Sequence, residues 1–233
     1  MPRYKRIVVI GVAHHVTQRG NHQQPVFSSD QDRQIYLQLL QDTATKAGLC
    51  VLGYCLMGNH VHLVVVPERE DALAKALGRA HYRYAHYFQA KRCIAGHLWQ
   101  NRFYSCPLAE SHLARAMLYV ERNPVRAKMA RTALDWPWSS ARVHSGQGDS
   151  ADIIDLADWP ECFPPGQWLE MLAVEEEQAE LARLERCTFS GKPYGEASFV
   201  EHLADELGRS LVLRPPGRPR KTFAAAAGAS VSQ

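Results

Sequence analysis

The chain reads as an α+β domain of the split β-α-β, or ferredoxin-like, kind. Three observations carry that reading. Strand-like and helix-period runs follow one another in the order β-α-β-β-α-β. A Gly58-Asn59 turn joins the second and third strands as a hairpin. The third strand, His60-Val61-His62-Leu63-Val64-Val65-Val66, places two histidines on one sheet face, because side chains on a strand alternate faces. Two helices would cover one face of such a sheet and leave the histidine face open.

Taken in order, residues 7–18 alternate and β-branch as a first strand, ended by the turn Arg19-Gly20-Asn21. Asp30 is placed to cap a helix over 31–47, which Gly48 closes. Leu49 to Met57 forms the second strand, and Pro67 stops the third. Asp71 to Arg92 is a helix with Leu73, Leu77, Tyr84 and Phe88 facing inward. His97 to Tyr104 supplies a fourth strand. A further helix starts at Ser111 as N-cap and ends near Asn123-Pro124, since the residue before proline resists helical geometry. It can restart at Pro124. Asp135-Trp136-Pro137-Trp138-Ser139-Ser140 makes an aromatic turn before a short helix at 139–145. Residues 165–188 and 195–208 read as two more helices, separated by Ser190-Gly191-Lys192-Pro193. From Leu213 the chain is rich in Pro, Gly and Arg and then Ala, a composition that resists folding alone. The organisation is thus a domain over 1–148, an acidic helical extension over 149–213 and a basic disordered tail over 214–233.

The 233 residues suffice for one large domain with an appendage. No apolar run approaches the roughly 20 residues of a membrane span, and the N-terminal run Ile7-Val8-Val9-Ile10 is too short for a secretion signal. Six scattered cysteines without a Cys-x-x-Cys pair read as reduced thiols in the cytoplasm. The net charge of +3 is unevenly spread. Residues 1–150 carry 19 Lys and Arg against 10 Asp and Glu; residues 151–213 carry 4 against 14; residues 214–233 carry 4 and no acid. A basic body and tail point to a polyanionic partner.

Two imidazoles on one face of an apolar strand make sense as paired metal ligands, though a third donor must come from elsewhere. Tyr119 and Asn123 are four residues apart on the later helix, so they share a face. If that face lies over the sheet, Asn123 can complete the site. Tyr119 then sits within reach of a bound phosphate, and tyrosine is a competent covalent nucleophile.

These residues carry a resemblance. His60-Val61-His62 matches the His-hydrophobic-His signature of the HUH nucleases. Together with Leu98-Trp99-Gln100-Asn101-Arg102-Phe103-Tyr104, Tyr119-Val120-Glu121-Arg122-Asn123-Pro124-Val125-Arg126-Ala127 and Trp136-Pro137-Trp138-Ser139-Ser140, it resembles the single-tyrosine transposases, most of all the REP-associated tyrosine transposases. The resemblance spans about residues 7–145. It implies a ferredoxin-like fold and a divalent ion, Mg²⁺ or Mn²⁺, held by His60, His62 and Asn123. It implies that Tyr119 attacks single-stranded DNA at imperfect hairpins, leaving a 5′-phosphotyrosine link and a free 3′-OH that can reverse the step. Arg122 and Arg126 fall in the motif around the tyrosine and are implied to contact DNA.

Other residues suit such a partner. Single strands need a basic groove with stacking surfaces, and Trp99, Phe103 and Tyr104 interleave with Arg102. Arg19 and Asn21 follow the first strand. In the tail, Pro216-Gly217-Arg218-Pro219-Arg220-Lys221 resembles an AT-hook, so Arg218 and Arg220 are placed for the minor groove of A·T-rich duplex DNA. The acidic segment could fold over the active face and compete with DNA, or simply extend the domain. Three other readings stand beside the transposase: a non-catalytic hairpin-binding regulator on the same fold, a replication or conjugation nickase, and a metal-dependent hydrolase that uses activated water. The expected partner is hairpin DNA, with no membrane, for a monomer or homodimer.

Overall fold

The computed structural model describes residues 6–148, 153–157, 159–175 and 177–213. Four strands, β1 (His14–Arg19), β2 (Leu49–Leu56), β3 (His60–Pro67) and β4 (Tyr104–Pro107), form one sheet in the order β2-β3-β1-β4. Every neighbouring pair is antiparallel. That order and polarity are those of the split β-α-β fold, with α1 (Asp30–Ala47) and α2 (Ala72–Arg92) as its two connecting helices.

Helix α1 starts where local chemistry is strongest. Ser29 caps it, accepting from the Asp32 amide at 3.3 Å, while the Asp32 carboxylate accepts from the Ser29 amide at 3.1 Å. This reciprocal box takes the capping role expected of Asp30, because Asp32 lies three residues after Ser29 and can answer it. Gly48 ends the helix in the left-handed region (φ 65°), as anticipated. On α2 the four expected inward positions, Leu73, Leu77, Tyr84 and Phe88, are all buried.

The first strand is shorter than its sequence suggested. Gly11 turns at φ 74°, and Ile7 leaves the sheet to pack with Leu203 and Leu211. The fourth strand is split. The Gln100 amide donates to the Arg19 carbonyl at 2.9 Å, so 98–100 do touch the end of β1. Residues 101–103 then bulge out, with Phe103 buried beneath the Arg6 guanidinium, and regular pairing resumes only at Tyr104.

Pairing register sorts the sheet into two faces. Opposite residues in an antiparallel ladder share a face, so Thr17 lies beside His62, and Arg19 beside His60. Val16, Val61, Leu63 and Val65 face α1 and α2 in the first core. Cys55, Val64 and Cys106 face the second core.

The second face was expected to lie open, and it does not. Helix α3 (Leu113–Glu121) covers it with Met117 and Val120, followed after Arg122 by the short α4 (Asn123–Arg126). Ser111 does not cap α3; a 3-10 turn over Glu110–His112 intervenes, and Ser111 Oγ donates to Glu196 instead. The aromatic turn 136–140 runs along the outer edge of β2, the Leu56 amide donating to the Trp138 carbonyl at 2.8 Å, and leads into α5 (Ala141–His144).

After α6 (Trp159–Cys162), the single helix expected over 165–188 is two: α7 (Pro165–Ala173) and α8 (Gln178–Ser190). Val174 is extended between them. Both helices bury apolar residues in the second core, Trp168 and Leu172 from α7, Leu181 and Leu184 from α8. On one continuous helix Leu172 and Leu181 would point about 180° apart, at roughly 100° per residue. The break lets both stripes reach the same core. Helix α9 (Ala197–Glu206) follows the turn at Gly191. Among the described residues no helix is long and apolar enough to cross a membrane.

Candidate functional site

Hairpin β2–β3 and strand β1 place His60, His62 and His15 on the face that α3 covers. The rings of His60 and His62 meet edge to face with centroids 4.9 Å apart. Tyr119, from α3, lies edge-on to both His62 (5.5 Å) and His15 (5.4 Å). Its ring is topped by the Arg126 guanidinium, 4.2 Å from the centroid. Arg126 also donates to the Tyr119 carbonyl. The tyrosine is therefore held between an imidazole edge and a cation, with only 5% of its surface exposed.

Each of the two paired histidines uses Nδ1 in a hydrogen bond. His60 Nδ1 meets Asn59 Oδ1 at 2.6 Å, and His62 Nδ1 meets His15 Nε2 at 2.9 Å. An amide oxygen can only accept, so His60 carries its proton on Nδ1 and keeps Nε2 as a lone pair. Burial, aided by Arg19, lowers the His60 pKa to about 4. Burial and the neighbouring His60 hold His62 well below its ordinary value. Burial and Arg126 bring His15 to about 3. All three rings are thus neutral near pH 7, the form a metal ion requires.

Among the described residues no group of three or more His, Cys, Asp and Glu is arranged to hold an ion. His60 and His62 supply two nitrogens from one strand face, a donor pair that fits a divalent cation completed by amide, phosphate or water oxygens. Asn123 lies one turn beyond Tyr119. Its Nδ2 donates to the Tyr119 carbonyl at 3.3 Å, which leaves Oδ1 as an acceptor.

The other expected residues are distributed around this centre. Arg19 is exposed at the end of β1, paired in register with His60. Asn21 follows, its amide bonded to the Leu98 carbonyl. A groove of about 700 Å³ runs between α2 and residues 96–103, lined by Arg6, His81, Tyr82, Trp99, Arg102 and Phe103. In it Trp99 is anchored through Nε1 to the His81 carbonyl at 2.9 Å, and Arg102 is exposed. Tyr104 sits apart, edge-on to Phe189 of α8 at 5.1 Å. Arg122 is buried and donates to the Val174 carbonyl. Arg218 and Arg220 lie outside the described residues.

Three contributions were not legible in the sequence. His15 sits against His62, Glu185 of α8 accepts the Tyr119 hydroxyl at 3.0 Å, and Thr188 bonds His15 at 2.7 Å. Only the parity of β1, which sets His15, Thr17 and Arg19 on one face, hinted at the first.

Fold and site together define a sheet-borne histidine pair with a tyrosine presented by the helix above it. The family model described as "Transposase IS200 like" matches residues 8–123, and through this segment the chain belongs to that family. No curated protein matches the chain. Among solved structures, a REP-associated tyrosine transposase bound to a REP hairpin is similar at 18% identity, with 67% of this chain and 96% of that one covered and a TM-score of 0.53. At that identity the likeness is one of fold. A structure from Deinococcus radiodurans R1 described as a candidate transposase aligns at 20% identity over 52% of this chain and 97% of that one, with a TM-score of 0.36.

Proposed function

We propose that this protein is a metal-dependent single-stranded DNA transposase that cuts and rejoins DNA at REP-type hairpins through Tyr119. The observation that carries the reading is Tyr119 itself, set edge-on to His62 and capped by Arg126 on the face that bears His60. The solved relative that shares the fold is described bound to a REP hairpin, which supports the substrate class.

His60 and His62, with Asn123 Oδ1, would hold Mg²⁺ or Mn²⁺, which when bound polarises a phosphoryl oxygen. The remaining chemistry belongs to the chain. The Tyr119 oxygen attacks phosphorus as its phenolic proton departs. The P–O3′ bond breaks, and the 3′ oxygen takes a proton to leave as a 3′-OH. The product is a 5′-phosphotyrosine, and attack by a 3′-OH reverses the step. Arg126 stabilises the developing negative charge. Arg19 and Asn21, with the groove of Trp99, Arg102 and Phe103, track the strand, whereas Arg122, buried against the Val174 carbonyl, and Tyr104, against Phe189, lie outside that groove. Arg218 and Arg220 add affinity for A·T-rich duplex.

The acidic segment serves as a cover. The Tyr119 hydroxyl donates to Glu185, so this one hydrogen bond must break, with the rest of α8 still in place, before the oxygen can meet phosphorus.

The test is a denaturing gel of the protein with Mn²⁺ or Mg²⁺ and end-labelled single-stranded hairpins from its genomic neighbourhood. A slow-migrating protein–DNA adduct, lost in Tyr119→Phe and with chelator, is the expected result. Hairpin binding with no adduct would favour the regulator, and cleavage surviving Tyr119→Phe would replace the tyrosine with activated water.

A further inference from the structure

We infer that Thr188 of α8, acting through His15, fixes His62 in the tautomer that offers Nε2 as a ligand, so the C-terminal helical segment is part of the ion-holding machinery. The inference rests on the proposed metal role of His60 and His62.

Proton polarity is set along a chain of buried groups. Thr188 Oγ1 lies 2.9 Å from the Leu184 carbonyl, which can only accept. The hydroxyl proton therefore points there, back along α8. The oxygen is left with two acceptor positions. One faces His15 Nδ1 at 2.7 Å, the other the Cys106 thiol at 3.3 Å. His15 then carries its proton on Nδ1, which makes its Nε2 a lone pair. That lone pair faces His62 Nδ1 at 2.9 Å, so His62 in turn donates from Nδ1. Its Nε2 remains unprotonated, and no hydrogen bond among the described residues occupies it. The His15 and His62 rings, 4° from parallel with centroids 5.2 Å apart, lie edge to edge in nearly one plane, as an in-plane N–H···N bond requires. Asn59 does the same for His60 from the hairpin turn. Two independent supports, one local and one 126 positions away along the chain from His62 to Thr188, thus leave both ligands in the same state. Such partners of ligating histidines typically govern metal affinity 10- to 100-fold.

His15 and Thr188 are positioning residues, since neither reaches an ion or DNA. The alternative polarity is definite. If Thr188 donated to His15, His15 would donate from Nε2, and His62 would carry its proton on Nε2, where it could not bind metal.

The experiment uses full-length protein labelled with ¹⁵N-histidine. Long-range proton–nitrogen spectra of the metal-free protein report the tautomer of each ring, and Mn²⁺ binding is read from the electron paramagnetic resonance of free Mn²⁺. His15 and His62 should both be Nδ1–H. Thr188→Val, which keeps the shape and removes the hydroxyl, should lose the single tautomer at His15 and weaken Mn²⁺ about tenfold or more. Thr188→Ser should restore both signals, which a purely packing role would not require. An Nε2–H tautomer at His62 in the wild type overturns the relay. So does wild-type Mn²⁺ affinity in Thr188→Val. Absence of Mn²⁺ binding by the wild type would instead remove the metal reading, and the relay with it.

Discussion

Replacing Glu121 with glutamine should cost about 2–4 kcal/mol of stability. Glu121 and His144 are both fully buried, 23 positions apart. One carboxylate oxygen accepts from Ser140 Oγ at 2.5 Å and from His144 Nδ1 at 2.6 Å; the other accepts from Trp168 Nε1 at 2.9 Å. The far nitrogen of His144 meets the Leu52 carbonyl at 3.0 Å. Both ring nitrogens thus face acceptors. Glutamine has the same shape but only one acceptor oxygen. Turned to serve Ser140 and His144, it sets its own NH₂ against the Trp168 N–H. A buried donor left without an acceptor costs about 1–3 kcal/mol, and trading charged for neutral hydrogen bonds costs about 1 kcal/mol more. Against a total of about 5–15 kcal/mol the variant should still fold. Urea unfolding followed by tryptophan fluorescence measures it, with an unchanged slope as the two-state check. A loss below about 1 kcal/mol at constant slope would refute the argument, because it would mean the three donors do not depend on this carboxylate.

Other consequences follow from the same structure. His14, His15 and His81 are held neutral by burial, at about 4, 3 and 3, against 6.5 when exposed. The unfolded chain gains their protons as pH falls below 6.5 while the folded chain does not. Their contribution is therefore whole above pH 6.5 and is lost toward pH 4 and 3, by up to about 1.4 kcal/mol per group per pH unit. Urea midpoints at pH 7.5, 6 and 5 should fall in that order, and a flat series would contradict it. At Gly53 a Cβ would lie 2.4 Å from Met117 Sδ and 2.8 Å from Ser140 Oγ. Gly53→Ala should cost about 1–3 kcal/mol by overpacking, visible as a lower melting temperature. Glu185→Gln removes one anion from the tyrosine that DNA must reach. A unit charge at about 4 Å in water is worth about 1 kcal/mol, so single-strand affinity should rise roughly fivefold. Fluorescence anisotropy with a labelled hairpin would show it, and unchanged affinity would remove the cover role from α8.

The residues nearest the hairpin were the most legible. His60 and His62 share a face because strands alternate, and Gly48 closes α1 because few other residues adopt its φ. The order of elements followed from periodicity alone. Positions 98–103 misled because aromatic alternation does mark contact with β1, yet Phe103 is pulled under Arg6 and interrupts the ladder. The split of α7 from α8 was implicit in the phase of Leu172 and Leu181, and became decisive only with the shared core in view. Glu121, His144 and Trp168 meet across separations that no local pattern encodes. Likewise nothing in the spacing of Thr188 announces a contact with His15.

The outer edge of β2 bears on assembly. Its backbone groups are already taken: Leu56 by Trp138, Tyr54 by Ser140, and Val51 by Asp155. A second copy cannot lengthen the sheet on that side by strand pairing without first peeling this strap away. Any dimer that forms while the strap is in place must be built through helix surfaces or through the opposite, β4 border. The quaternary arrangement is constrained by a serine-tryptophan segment that also supplies the hydroxyl to Glu121.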